Sequence, residues 1–107
     1  MAHFQSIAFA LADMHMDVES ARWLLWRAAA EWDAGVPTAA RSTSKAAAHA
    51  AEASWRVADW AVQILGGAGY MADHPVEKWL RDAKVFQIVE GTSEIQRHVI
   101  AGYLRRG

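Results

Sequence analysis

The sequence contains no cysteine, so it has neither a disulfide nor a thiolate nucleophile. A reducing cytoplasm fits that absence. No run of about 18 apolar residues occurs, which excludes a membrane-spanning helix. The start, MAHFQSIAFALADM, has no basic opening and no small-residue cleavage site, so no signal peptide is expected. There is no excess of charge of either sign. The net charge is -1, with Lys and Arg scattered among acidic residues, and nothing electrostatic points to nucleic acid or an anionic membrane. Five histidines are present, but no Glu-x-x-His and no His-x-x-x-His spacing, so a di-iron bundle is not indicated. His3, His15, His49, His74 and His98 read as surface or capping residues, and no metal is expected. No serine sits in a nucleophile-elbow context. No segment alternates as a strand does, and there is no repeat or low-complexity tract beyond some alanine richness.

What remains is hydrophobic periodicity. Of the 107 residues, 53% are hydrophobic and 21% charged, enough for one domain with a modest core and too apolar for disorder. Phe4, Ile7, Leu11, Met14, Val18, Ala21, Leu25, Ala28 and Trp32 alternate in steps of three and four, the mark of an amphipathic helix with one narrow seam. Asp13, Asp17, Glu19, Glu31 and Asp33 fall off the seam and are expected to face water. Gly35 and Pro37 end this helix, which at 1.5 Å per residue is roughly 45 Å long and requires partners. A second helix, capped by Ser42, Thr43 or Ser44, carries Ala46, Ala50, Ala53, Val57, Ala61 and Ile64 on one face and stops at Gly66-Gly67. Its alanines permit close approach, and the short loop favours an antiparallel hairpin.

A third, short helix opens near Pro75 with Asp73 as its cap and Val76, Trp79, Leu80 and Ala83 as its apolar side. Phe86 to Val89 reads as an extended apolar linker. Thr92 or Ser93 caps the last helix, Ser93 with Gln96 matching the reciprocal capping pattern. Ile95, Val99 and Tyr103 are its expected buried row, with Ile100 and Leu104 beside them. The six tryptophans fall at helical spacings and are expected to pack against neighbours. The fold class is all-α: a helical bundle of two long antiparallel helices and two shorter C-terminal ones.

Chemistry concentrates between Ala61 and Arg97. Gly66, Gly67 and Gly69 allow the backbone after a long helix to approach a ligand closely. A Gly-Thr-Ser opening the last helix presents unpaired backbone N–H groups, which suit an anion such as a phosphate. Glu90 precedes that opening and has two readings. One is a charge stabilising the helix N-terminus. The other is a general base in the apolar segment Phe86 to Glu90, where burial would raise its proton affinity.

AVQILGGAGY, then HPVEKWLRDAK, then QIVEGTSEIQRHVIAGYL resemble, in order and without a gap, the closing segment of the acyl-CoA dehydrogenases. LADM at Leu11 to Met14 and the stretch SARWLLWRAA resemble the long helix before it, so the resemblance runs from Phe4 onward. It implies the family's C-terminal helical domain over residues 1–107, and FAD-dependent α,β-dehydrogenation of an acyl-CoA thioester. By that resemblance Glu90 removes the α-proton, its own backbone N–H helps hold the thioester carbonyl, and Gly91 lies beside the substrate. Gln63, Ile64, Leu65, Gly66 and Gly67 would contact the ADP part of FAD, usually across a subunit interface, and Thr92 and Glu94 would also touch FAD. Arg81 would order the loop by salt bridging.

Two positions depart from the pattern: Val89 where an aromatic is common, and Glu94 where many members have Gln. The family's N-terminal helical and middle β-domains, and an arginine-containing motif before Phe4-Gln5, are absent from this sequence. The resemblance implies as partners an acyl-CoA substrate, a homo-oligomer or a complex with a chain supplying those domains, and an electron-transfer acceptor. The alternative is a non-catalytic helical module for oligomerisation, derived from the same family. A flavin-dependent oxygenase on this fold has no use for a base at Glu90.

Overall fold

The computed structural model describes residues 4–89 and 91–106. Five helices follow one another: α1 (Gln5–Ala34), α2 (Ala39–Leu65), the single turn α3 (Gly67–Tyr70), α4 (Val76–Val85) and α5 (Ser93–Arg105). No strand occurs among the described residues. The all-α bundle with a long antiparallel hairpin and two shorter helices is therefore observed, with α3 as an addition.

The hub is α2. At backbone level α1, α3, α4 and α5 each pack on it, α1 touches nothing else, and α4 and α5 do not meet. Alanine makes this possible. The buried apolar residues are Ala10, Ala28, Ala39, Ala46, Ala48, Ala51, Ala53 and Ala83, five of them on α2, and helices on either side approach its backbone closely. No large side chain is fully buried among the described residues.

The hairpin turn is tied by the Gly35 backbone N–H, which donates to Glu31 and Trp32 carbonyls at the end of α1. Helix α2 starts before the expected serine and threonine caps. Pro37 presets a helical φ, so the chain turns into α2 at once, with Thr38 at the N-cap and Ser42 donating its backbone N–H to the Thr38 carbonyl at 3.0 Å. Ser42 and Ser44 are consequently buried inside the helix, and Thr43 donates its hydroxyl back to the Ala39 carbonyl while accepting from the Trp32 indole at 2.6 Å. Glu31 reaches the same turn. Ser42 foremost, with Arg27 and Thr38, holds its carboxyl below the usual range, although Oε2 lacks a well-formed hydrogen bond.

Three further expectations are corrected. Asp73 does not cap α4; Pro75 occupies the N-cap in a helical conformation, its carbonyl accepting from Trp79 at 3.0 Å, and no side chain caps that end. Phe86 to Val89 is not extended but continues in turns, with Ile88 and Val89 both donating to the Val85 carbonyl. On α5 the residues turned inward are Ser93, Gln96 and Ile100 to Tyr103, whereas Ile95 and Leu104 are exposed and Val99 is borderline. That helix lies against α2 on its serine and glutamine side because the alanine surface of α2 accepts small and polar groups.

The seam of α1 divides in two. Ile7, Met14, Ala21 and Ala28, with Ala10, Asp17, Leu24 and Glu31, are buried or half-buried against α2, while Phe4, Leu11, Val18, Leu25 and Trp32 are exposed. Asp17 and Glu31 thus face the partner helix rather than open water. Asp17 receives two hydrogen bonds from Arg56, both at 3.0 Å. Five of the six tryptophans, Trp23, Trp26, Trp32, Trp60 and Trp79, remain largely exposed. The accessible surface of 7320 Å² exceeds the roughly 5900 Å² of a compact monomer of this size. The radius of gyration, 16.3 Å, likewise exceeds about 13 Å. The surplus is an apolar trough along α1 and α2. One part, about 640 Å³, is lined by Val18, Val57, Trp79 and Phe86; another, about 630 Å³, by Leu25, Trp26 and Trp32, and both share Val18, Ala21 and Ala50.

Candidate functional site

Glu90 lies outside the described residues; its flanking positions are defined. Val89 and Gly91 line a cleft of about 410 Å³ whose floor is Ala47, Ala48, Ala50 and Ala51 of α2, closed by Phe86 on one side and by Ser93 and Gln96 on the other. Gly91 has φ +91, which an L side chain rarely adopts, and a Cβ built on it would lie 3.1 Å from the Gln96 amide nitrogen. The chain therefore turns sharply there and enters α5 directly. Ser93 donates its backbone N–H to the Gln87 carbonyl at 3.2 Å, closing the loop between them.

Helix α5 begins with Thr92 as its N-cap, the Thr92 hydroxyl oxygen accepting from the Ile95 N–H at 3.1 Å. Its hydroxyl hydrogen stays available to donate elsewhere. Ser93 is the first helical residue and not the cap; it is buried, and its hydroxyl has no protein partner among the described residues. Glu94 stands exposed in the first turn. A carboxylate at that end works against phosphate binding, and suits a hydroxyl or amide donor.

The second group of expected residues lies elsewhere. Gln63 and Ile64 line a different cleft, about 560 Å³, with Ser6, Ile7, Asp59 and Trp60. Leu65 is exposed, Gly66 follows as the C-cap of α2, and Gly67 opens α3; a Cβ at either glycine would meet nothing within 4 Å. Gly69 is the opposite case, since a Cβ there would lie 2.6 Å from the Val62 carbonyl oxygen and 2.9 Å from Leu65 Cβ. That contact folds α3 onto the last turn of α2 and leaves Gly66 and Gly67 facing outward.

The two groups are not brought together within the chain. Helix α5 runs antiparallel to α2, with Arg97 bonded to Glu52 at 2.5 Å near its start and Tyr103 beneath the Arg41 guanidinium near its end. Gly91 and Ser93 therefore lie alongside Ala47 to Ser54. Gly66 is twelve residues beyond Ser54, roughly 18 Å along the helix axis. Among the described residues Arg81 is bonded to Glu77, one turn earlier on α4, on an exposed face.

The electrostatics centre on two ion pairs that tie α2 to its neighbours, Arg56 with Asp17 of α1 and Glu52 with Arg97 of α5. Hydrogen bonds from Arg56 and Arg97 hold the Asp17 and Glu52 carboxyls, respectively, below the usual carboxylate range, against the opposing effect of burial. The same bonds raise the two guanidinium groups, and Glu94 adds to the effect at Arg97. His49 is half-buried near both carboxylates rather than on the surface, with Nε2 unpartnered among the described residues. His3 lies outside the described residues. Among the described residues no group of three or more His, Cys, Asp or Glu side chains is placed to hold a metal, and no helix is long and apolar enough to cross a membrane.

Sequence reasoning missed the alanine floor of the cleft and the role of Gln96 beside Gly91. Glu52 and Arg56, four residues apart on α2, carried a signal of their own: they share a face with His49, and a charged stripe on the small-residue helix implies charged partners.

Residues 1–104 match the family model described as "Acyl-CoA dehydrogenase, C-terminal domain". The chain is 48% identical over 106 residues to the mitochondrial short-chain specific acyl-CoA dehydrogenase of Rattus norvegicus, covering 99% of this chain and 26% of that protein. The solved butyryl-CoA dehydrogenase of Megasphaera elsdenii superposes with a TM-score of 0.92 at 45% identity, over 96% of this chain and 27% of that one. The FAD complex of PigA superposes at 0.94 with 28% identity, over 99% and 28%. The chain thus spans about a quarter of the length of the proteins it matches.

Proposed function

From the premise that the chain belongs to the acyl-CoA dehydrogenase family, we propose that it is the part of such an enzyme that supplies the catalytic base and a share of the FAD site. The whole assembly would remove the α- and β-hydrogens of an acyl-CoA thioester. The observation that carries this reading is the Gly91 turn, which opens a capped helix directly over an alanine-floored cleft. Glu90, between two residues that line the cleft, takes the α-proton. Its backbone N–H and the apolar walls formed by Phe86 and Val89 suit a thioester carbonyl as negative charge develops on its oxygen. Gly91 lies beside the acyl group, where a side chain would intrude.

The residues present fit FAD in two places. Gly66 and Gly67 expose backbone with open space above it, and with Gln63, Ile64 and Leu65 they offer amide donors and an apolar edge for the ADP part. Thr92 can donate its hydroxyl hydrogen and Glu94 can accept, which suits the hydroxyl-bearing portion of the cofactor. FAD, when bound, supplies the acceptor for the β-hydrogen as hydride. Because the two places are far apart on one chain, each flavin would be shared between copies. A homo-oligomer, or an assembly with a chain carrying the family's other domains, follows from that, as does an electron-transfer acceptor for the reduced flavin. A cytoplasmic setting fits the cysteine-free composition.

A second reading, a non-catalytic oligomerisation module, is favoured by one observation: the long trough of exposed Val18, Leu25, Trp26 and Trp32. Retention of Glu90 with Gly91 and Thr92 favours the first. The test is Glu90→Gln in the flavin-containing assembly. Flavin content is expected to persist while acyl-CoA-dependent flavin reduction is abolished; reduction near the wild-type rate overturns the assignment of the base.

A further inference from the structure

We propose that Gln96 is a positioning residue for the loop that carries Glu90, an inference that rests on the reading of Glu90 as the base. By sequence pattern Gln96 belongs to a capping pair with Ser93. The structure assigns the cap to Thr92, whose hydroxyl takes the Ile95 N–H, and Ser93 is buried as the first helical residue. The Gln96 side chain lies beside Gly91 and lines the cleft.

The geometry there is restrictive. Gly91, the residue next to Glu90, is held at φ +91, and the space a Cβ would need is bounded by the Gln96 amide nitrogen at 3.1 Å. The loop ends are fixed as well: Gln87 accepts from the Ser93 backbone N–H, and Gln96 itself sits on the first turn of α5 with its backbone N–H bonded to the Thr92 carbonyl at 3.0 Å. Gln96 therefore sets its side-chain amide against the Gly91 turn, the residue that follows Glu90 in the chain. A side-chain amide suits this place because it is neutral and offers both donors and an acceptor to a loop rich in peptide groups. A carboxylate would disfavour ionised Glu90, and an alkyl group would let the turn relax.

Two variants in the flavin-containing assembly test this. Gln96→Leu keeps much of the volume and removes the polar atoms. Flavin reduction at saturating butyryl-CoA is expected to slow by about tenfold or more, as a base displaced by a fraction of an ångström would cause, while flavin content and butyryl-CoA affinity change less than about twofold. Gln96→Glu keeps shape and polarity but brings a negative charge to the loop. The pH midpoint of flavin reduction is expected to move upward, by about tenfold in proton concentration, because a nearby like charge favours the protonated base. A wild-type reduction rate in Gln96→Leu overturns the proposal, and so does an unmoved midpoint in Gln96→Glu. Failure of the underlying reading is separate: it appears as normal reduction by Glu90→Gln.

Discussion

Helices α1 and α2 are alike in length, yet they end in opposite situations. Helix α2, 27 residues long, is enclosed along its first half, where Ala39, Ser42, Ser44, Ala46, Ala48, Ala51 and Ala53 are all buried. Helix α1, 30 residues long, buries only Ala10 and Ala28. The difference is side-chain size. A helix of small residues lets several neighbours reach its backbone. A helix carrying exposed Trp23, Leu25, Trp26 and Trp32 packs on one neighbour alone and holds most of its apolar area outward. Hydrophobic periodicity reports that a stripe exists, and size along the stripe reports how many partners it has within this chain.

The comparison can be broken most forcefully where crowding is greatest. Gly69→Val would drive a side chain into the Val62 carbonyl oxygen, a clash with backbone that cannot move aside. We expect a loss of about 3 kcal/mol or more in chemical denaturation, or failure of the α2–α3 corner to fold. A matched pair is next. Ala53→Leu on α2, at 3% exposure, should destabilise by about 1–3 kcal/mol through overpacking, whereas Ala29→Leu on the exposed side of α1 should change stability by less than about 0.5 kcal/mol. Equal costs at both positions would end the distinction drawn between the helices.

Self-association gives a third measure. The chain alone should be strongly helical by circular dichroism and should associate through its exposed rows, and Leu25→Ser with Trp32→Ser should shift sedimentation toward the monomer without loss of helicity. A wild-type chain that is a well-behaved monomer with a cooperative melt contradicts this. The smallest effect concerns pH. The folded-state carboxyls of Asp17 and Glu52 are depressed, so the stability they contribute is present above their unfolded values and is lost as pH falls through the lower folded ones, below about pH 4. Both pairs are partly solvated, with Arg56 and Arg97 side chains 44% and 57% exposed, so each is worth about 0.2–1 kcal/mol. Asp17→Asn with Glu52→Gln should flatten the acid limb of a stability–pH curve by that amount.

The all-α class, the hairpin and the end of each long helix were legible because periodicity, Gly35 and Gly66 are local signals. Thr92 was legible as one of two caps; only the fold chose it over Ser93. The start of α2 was misread because three hydroxyl residues at Ser42 to Ser44 suggest a cap, and the stronger constraint, Pro37, acts several residues earlier. The burial of Ser93 and the exposure of Ile95 could not be read from α5 at all. They depend on the alanine face of α2, and a helix does not carry in its own sequence the shape of what it packs against. In the candidate site, Gly91 and Thr92 stand where the pattern puts them on the path of the chain. That Gln63 and Ile64 line a separate cleft, with Gly66 and Gly67 beyond it, is a property of helix direction, which spacing does not encode.

The exclusive packing of α1 on α2 also bears on how the chain acquires its fold during synthesis. Every backbone contact of α1 is complete once Leu65 is available, so the hairpin can form on the ribosome before the segment bearing Glu90 emerges. The loop and α5 then dock onto a surface that is already built. The order of translation thus places the part most exacting in geometry last, on the part least dependent on it.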